Sequence, residues 1–160
     1  MTTHIESMTG TDVPDVAAIE ASQHSQPWSE RSFYDALDAR WHCRVLKKNS
    51  LLIGYCVTMT AGDDEELLTI AVCPEVTGQG YGKTLMQAVV RDARQRGADR
   101  LLLEVRASNT IAIRLYEQMG FKIDGMRKNY YPVPAEPARQ TPALREHALL
   151  MSLVLGSASL

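Results

Sequence analysis

Long apolar runs are missing from this chain; none approaches the roughly 20 residues that a membrane-crossing helix needs. The opening "MTTHIESMTG" lacks the charged-then-apolar layout of a secretory signal, so a cytoplasmic protein is expected. Cysteine is scarce. Cys43, Cys56 and Cys73 are odd in number and widely spaced, which argues against a disulfide framework and a paired-cysteine metal site. Each reads as a reduced packing residue rather than a nucleophile. His24, His42 and His147 are scattered without ligand spacing, so they receive no role and no metal is expected. An excess of one charge is lacking too. Seventeen Lys and Arg against nineteen Asp and Glu leave a net charge of −2, with no footprint for nucleic acid or an anionic membrane.

What is present suits one α/β domain. A length of 160 residues with 45% apolar content can bury a real core, here taken as residues 1–155 with a short tail, 156–160. "HIESMT" reads as a first strand. "DVPDVAAIEASQ" reads as a helix with Asp12 as cap and Pro14 in its first turn. After the loop "HSQPW" comes a second helix, capped by Ser29, with Phe33 and Leu37 on one face. "HCRVLKK" and "LLIGYCVTMT" flank Asn49-Ser50 as a strand–turn–strand unit. "AGDDEE" is expected to be a solvated turn into the buried strand "LLTIAV". A helix follows with Leu85, Val89 and Ala93 on one stripe and Gly97 as its stop. "RLLLEV" is the next strand, and "NTIAIRLYEQMG" a helix capped by Asn109 and closed by Gly120. "FKIDGMRKNYY" and "LREHALLMSLVL" read as two last strands. Between them "PVPAEPARQTP" holds four of the seven prolines and is expected to be a surface loop. The sum is a mixed sheet with helices on both faces.

Two motifs carry chemistry. "VTGQGYGK", residues 76–83, joins a buried strand to a well-patterned helix. Gly78, Gly80 and Gly82 allow positive φ and close backbone approach, and free amides at the helix start favour a phosphate. Lys83 adds a point charge. The spacing fits neither a nucleoside-triphosphate loop nor a dinucleotide fingerprint. In "LEVRASNTIAIRLYEQMGF", residues 103–121, a carboxylate, Glu104, ends an apolar strand, and Tyr116 sits on the following helix. Glu104 shares a strand face with Leu102 and Arg106. On these residues alone, a carboxylate paired with Arg106 and a core tyrosine bonded to backbone is the favoured account. A base with a raised pKa among leucines is the alternative.

The strand "LLTIAV", then Pro74 and Gly-x-Gly-x-Gly-Lys into a helix, resembles the acetyl-CoA motif of the GNAT superfamily of N-acetyltransferases. "PWSERSF", "LEVRASN" and "RKNYYP" narrow the likeness to its ribosomal-protein-alanine (RimI-type) branch, over essentially the whole chain to about residue 155. The resemblance implies the GNAT fold, with about seven strands, and acetyl-CoA as cosubstrate. It aligns Glu104 with the general base and Tyr116 with the proton donor to the coenzyme sulfur. Ile70, Ala71 and Val72 align with residues whose main chain tracks the pantetheine arm and supplies an oxyanion donor. Gly78, Gln79, Gly80, Tyr81, Gly82 and Lys83 align with the pyrophosphate turn, and Asn109 with a coenzyme contact. Trp28, Tyr130 and Tyr131 resemble the peptide-binding surroundings; a helix-entry staple and ordinary strand aromatics explain them equally well.

The resemblance implies transfer to the α-amine of an N-terminal alanine, on a basic ribosomal protein of the small subunit, protein eighteen. An α-amine, with a pKa of about 8 against about 10.4 for lysine, suits an enzyme with one modest base. The acidic "DDEE" at 63–66 is a candidate attractor for such a peptide. Direct attack is preferred over an acetyl-Cys73 intermediate, since no histidine is set to activate that thiol. Lysine or small-amine acetylation, and a silent acyl-CoA-binding module, are the rival readings. One departure stands out: Thr77 and Gly78 occupy positions where the family carries arginine or glutamine. The extra glycine is expected to loosen the turn and weaken cofactor binding modestly, so that Gly78→Arg would tighten it.

Overall fold

Strand alternation and helical stripes translate directly into elements in the computed structural model, which describes residues 2–132 and 145–156. In chain order these are β1 (Thr3–Ser7), α1 (Val13–Gln23), α2 (Glu30–Asp38), β2 (His42–Lys48), β3 (Leu51–Ala61) and β4 (Asp64–Val72). Then come α3 (Tyr81–Gln95), β5 (Arg100–Arg106), α4 (Thr110–Gln118), β6 (Lys122–Pro132) and β7 (Arg145–Val154). The strands form one seven-stranded sheet in the order β1-β2-β3-β4-β5-β7-β6. Every neighbouring pair is antiparallel except β4 and β5, which are joined by the α3 crossover and run parallel.

Each face buries its own core. Val13, Val16 and Ile19 of α1 and Phe33 of α2 pack on Tyr55 and Val57 of β3. On the other face Leu85, Met86 and Val89 of α3 and Tyr116 of α4 pack on Leu101, Leu103 and Val105 of β5. Gly54 sets how closely α3 approaches. A Cβ there would lie 3.0 Å from a Leu85 methyl and 3.1 Å from the Ala71 carbonyl oxygen, so any side chain would need both neighbours to give by a few tenths of an ångström. Among the described residues no helix is long and apolar enough to cross a membrane.

Most boundaries follow their local signals. The Ser29 side chain accepts from the Ser32 amide at 3.2 Å, and that of Asn109 from the Ala112 amide at 3.2 Å. Gly97 and Gly120 stop their helices at φ of +79° and +101°. Asp12 differs. It closes a short helical turn, Gly10–Asp12, where its carboxylate accepts from the Thr9 amide at 2.9 Å and pairs with Lys47 at 3.4 Å. It therefore turns back to the preceding segment instead of capping α1.

The acidic stretch is a larger correction. Asp64, Glu65 and Glu66 are the first residues of β4, not a solvated turn. Strand alternation turns Glu65 fully inward, where it accepts from Thr58 at 2.8 Å and pairs with Arg96. Asp64 pairs with Arg100 at 2.9 Å. Two of the four carboxylates are thus engaged within the fold, which leaves Asp63 and Glu66 outside these ion pairs. Burial raises the Glu65 pKa, but the Arg96 and Thr58 hydrogen bonds outweigh it and hold the group below the usual carboxylate range. A lowered folded-state pKa gives stability that is complete above the unfolded value of about 4.3 and lost as pH falls through the folded one. Acid unfolding of the wild type should therefore lose stability below about pH 4. Glu65→Gln should flatten that limb, and an equally steep limb in the variant would remove Glu65 as its source. Cys43 and Cys56, pushed by burial to about 11 and about 12, are the inert packing residues their spacing suggested.

Candidate active site

The parallel pair β4–β5 is short. It is in register only at Glu65–Leu101 and Glu66–Leu102. Beyond that, β4 stays with β3 as far as Val72 opposite Gly54, and β5 stays with β7 as far as Arg106 opposite Ala148. The two strands part, and Leu67–Val72 and Leu103–Arg106 become the rims of an opening through the sheet. A register shift between Val57 and Thr58 marks where β4 bends away. The Cys73 amide donates to the Ile53 carbonyl at 2.7 Å, which sets the alternation along β4. Ala71, opposite Tyr55, turns its amide and carbonyl to β3, whereas Ile70 and Val72 turn theirs to the opening. Three consecutive residues cannot all face one edge, so the expectation for Ile70, Ala71 and Val72 narrows to the first and third.

At the end of β4 the glycine turn leads into α3. Gly78 and Gly80 have φ of +79° and +87°, the left-handed region. No side chain caps α3, and its first turn holds no acidic residue. The amides of Tyr81, Gly82 and Lys83 are thus left for an anion, in a helix long enough for its dipole to help. Lys48 lies 5.5 Å over the Tyr81 ring and adds charge beside this turn. The conformation also changes the expectation for Gly78→Arg. A side chain at φ +79° is strained by about 1–2 kcal/mol, which offsets whatever the new charge contributes. Thr77, at φ −66°, is where a basic residue fits without strain.

Glu104 and Tyr116 lie on opposite faces of the sheet. Leu101, Leu103 and Val105 are buried against α3 and α4, so alternation sends Glu104 and Arg106 to the α1–α2 face. The partner of Glu104 is Arg127 of β6 at 3.2 Å rather than Arg106. Arg106 instead bonds Glu146 at 2.8 Å and the Ser25 hydroxyl at 2.5 Å, tying the α1–α2 loop to the β5 rim. Tyr116 is 6% exposed, with its ring 5.6 Å from that of Phe121. Its hydroxyl bonds no described residue, and no buried polar side-chain atom among them goes unpartnered. The ring is therefore core while the oxygen reaches open space, unlike a tyrosine bonded to backbone. Burial pushes this phenol up to about 12, so it stays protonated through the neutral range.

Several residues given no role converge here. Gln23 donates to the Val72 carbonyl at 2.7 Å, and His24 Nε2 lies 3.2 Å from the Ile70 carbonyl. Behind them Glu20, 2% exposed, accepts from the Tyr55 hydroxyl, from Thr69 at 2.6 Å and from the Trp28 amide at 2.9 Å. Burial and then the Glu20 charge push the Tyr55 phenol far up, keeping it a donor. Glutamate and histidine four apart at a helix end was the available sequence signal. Trp28 packs against Phe33 with the rings tilted and their centroids 5.1 Å apart, the staple arrangement. Tyr130 and Tyr131 belong to β6 by backbone, but their side chains lie outside the described part, as do residues 133–142 of the proline-rich segment and 157–160 of the tail.

Comparison with known proteins agrees with this geometry. Residues 13–121 match the family model of the acetyltransferase (GNAT) family. The [ribosomal protein bS18]-alanine N-acetyltransferase of Escherichia coli K12 is 37% identical over 149 residues, covering 93% of this chain and 95% of that protein. The enzyme of the same name from Haemophilus ducreyi is 34% identical over 151 residues, covering 94% and 99%. The crystal structure of the ribosomal-protein-S18-alanine N-acetyltransferase from Escherichia coli superposes with a TM-score of 0.88 at 35% identity, covering 99% of this chain and 97% of that one. A GNAT acetyltransferase from Elizabethkingia anophelis with acetyl-CoA bound shares the fold, with a TM-score of 0.75 at 22% identity, covering 95% and 97%.

Proposed function

The chain belongs to the GNAT family of acetyltransferases and uses acetyl-CoA, and on that premise we propose that it acetylates the α-amine of an N-terminal alanine on ribosomal protein bS18. The observation that carries the substrate is the likeness to the Escherichia coli bS18-alanine enzyme across 93% of this chain. The turn Gly78, Gln79, Gly80 and the first amides of α3, Tyr81, Gly82 and Lys83, hold the pyrophosphate. The pantetheine arm runs into the opening along the edge of β4. There the Ile70 or Val72 amide donates to the thioester oxygen as it gains charge. Asn109 caps α4 and lies at the coenzyme side of the opening.

The reacting groups meet inside the opening. Glu104 takes a proton from the amine on one face, and the amine attacks the thioester carbonyl. Tyr116, a protonated phenol, donates to the departing sulfur on the other face. Glu104 lies at the acceptor side, where the α1–α2 loop is tied to both rims by Gln23, His24 and Ser25. Direct attack is supported by Cys73. Its thiol is bonded to Glu75 at 2.7 Å, and this bond first, then burial, raises its pKa and keeps it from being a thiolate nucleophile.

The test is a peptide that carries an N-terminal alanine and an internal lysine, incubated with acetyl-CoA and mapped by mass spectrometry. Acetyl is expected at the α-amine, in an at least tenfold excess over lysine near neutral pH, where far more of the α-amine is neutral. Acetyl mainly on the lysine would overturn the N-terminal assignment.

A further inference from the structure

Nitrogen must lose two protons in this reaction, and Glu104 alone is a poor receiver for both. It is a single carboxylate whose Oε1 already meets Arg127 at 3.2 Å. A second receiver stands at the facing rim. His24 follows α1 at its C-terminal end and places Nε2 3.2 Å from the Ile70 carbonyl oxygen and 3.5 Å from Glu20 Oε1. Both neighbours are acceptors, so Nε2 carries the proton and Nδ1 carries the lone pair. Nδ1 has no partner among the described residues, and the side chain is 38% exposed. Glu20 is fixed by Tyr55, Thr69 and the Trp28 amide, so the negative charge behind the imidazole does not move. A buried carboxylate behind a histidine selects its tautomer and fixes the orientation of its ring. The same loop is anchored to β5 through Ser25 and Arg106, two residues beyond Glu104.

Resting on the acetyl-transfer reading above, we propose that His24 is a second proton acceptor for the incoming amine, with Glu20 as the residue that positions it. The substrate arrives as an ammonium ion. Nδ1 of neutral His24 takes one proton, and the electron pair of that N–H bond becomes the amine lone pair. This pair forms the N–C bond at the thioester carbonyl, whose π electrons move to oxygen. Glu104 takes the second proton from nitrogen as the oxyanion collapses and the C–S bond breaks. Sulfur leaves with the Tyr116 proton, and the phenolate is reprotonated from solvent. Two protons leave nitrogen and sulfur gains one, so the products are amide, thiol and one proton released to water.

The experiment has two arms on the full chain. Long-range nitrogen–proton NMR of uniformly labelled wild type, at a pH where His24 is neutral, should show the Nε2–H tautomer; the Nδ1–H tautomer would overturn the proposal whatever the activity. In the second arm, steady-state kinetics compare wild type with His24→Gln, which keeps an N–H donor for the Ile70 carbonyl but no basic nitrogen. We expect kcat to fall at least tenfold at pH 7, KM for acetyl-CoA to stay within twofold, and the loss to shrink towards pH 9 as the amine sheds its own proton. Added imidazole should restore part of the activity of His24→Ala. A His24→Gln kcat within twofold of wild type, or a loss that is constant with pH and not relieved by imidazole, overturns it in favour of a structural role. Mass mapping of the same reactions keeps the two readings apart. Lysine acetylation that still depends on His24 defeats the N-terminal assignment alone, whereas α-amine acetylation indifferent to His24 defeats this proposal alone.

Discussion

Tyr116→Phe should lower kcat by about a hundredfold or more while leaving the protein as stable as wild type. The two halves of that expectation come from two parts of one side chain. The ring is buried in the core formed by α3, α4 and β5, and phenylalanine keeps those contacts. The hydroxyl bonds no described residue, so deleting it breaks nothing and changes stability by no more than about 0.5 kcal/mol. What disappears, in the proposed mechanism, is the donor to the leaving sulfur. A thermal scan beside a kcat measurement with a saturating peptide checks both halves. A variant with near-wild-type kcat would show that sulfur takes its proton from elsewhere, and a strongly destabilised one would show that the hydroxyl was structural.

Glu104→Gln is expected to cost about a hundredfold in kcat as well, with acetyl-CoA affinity within twofold of wild type. The carboxylate lies on the face away from Tyr116, and no glycine-turn residue touches it, so cofactor binding has little reason to change. The ion pair with Arg127 is lost too. That pair is a quarter to half exposed, and solvent screening limits its worth to under about 1 kcal/mol. Fluorescence or calorimetric titration with acetyl-CoA, beside rapid-quench turnover, separates binding from chemistry. Unchanged turnover would remove Glu104 as a base and leave His24 as the receiver to examine.

Much of this molecule was legible before any coordinates. Strand alternation in "LLLEV", the glycine stop signals and the caps Ser29 and Asn109 are local, and each matches what was read from a few residues. Misreadings arose where a residue's neighbour lies far along the chain. "DDEE" looked solvated because Arg96 and Arg100, its partners across the fold, are more than thirty positions away. Arg127 for Glu104, Ser25 for Arg106 and Ile70 for His24 are hidden for the same reason. Gly78 shows a subtler limit. The residue type was plain, but the need for positive φ is visible only once the turn is built. The catalytic expectations came from likeness to a family, whereas the bonded surroundings of those residues came from the fold.

The parting of β4 from β5 has a kinetic meaning. A slot that runs through a sheet has two mouths, so in the proposed reaction coenzyme and peptide approach from different sides and neither blocks the other's path. Both can be seated at once, and no enzyme group has to hold the acetyl while one substrate leaves and the other arrives. The missing pairings between two strands would thus make room for the ternary complex that the proposed direct attack requires, with the backbone of Ile70 and Val72 along one side of the gap.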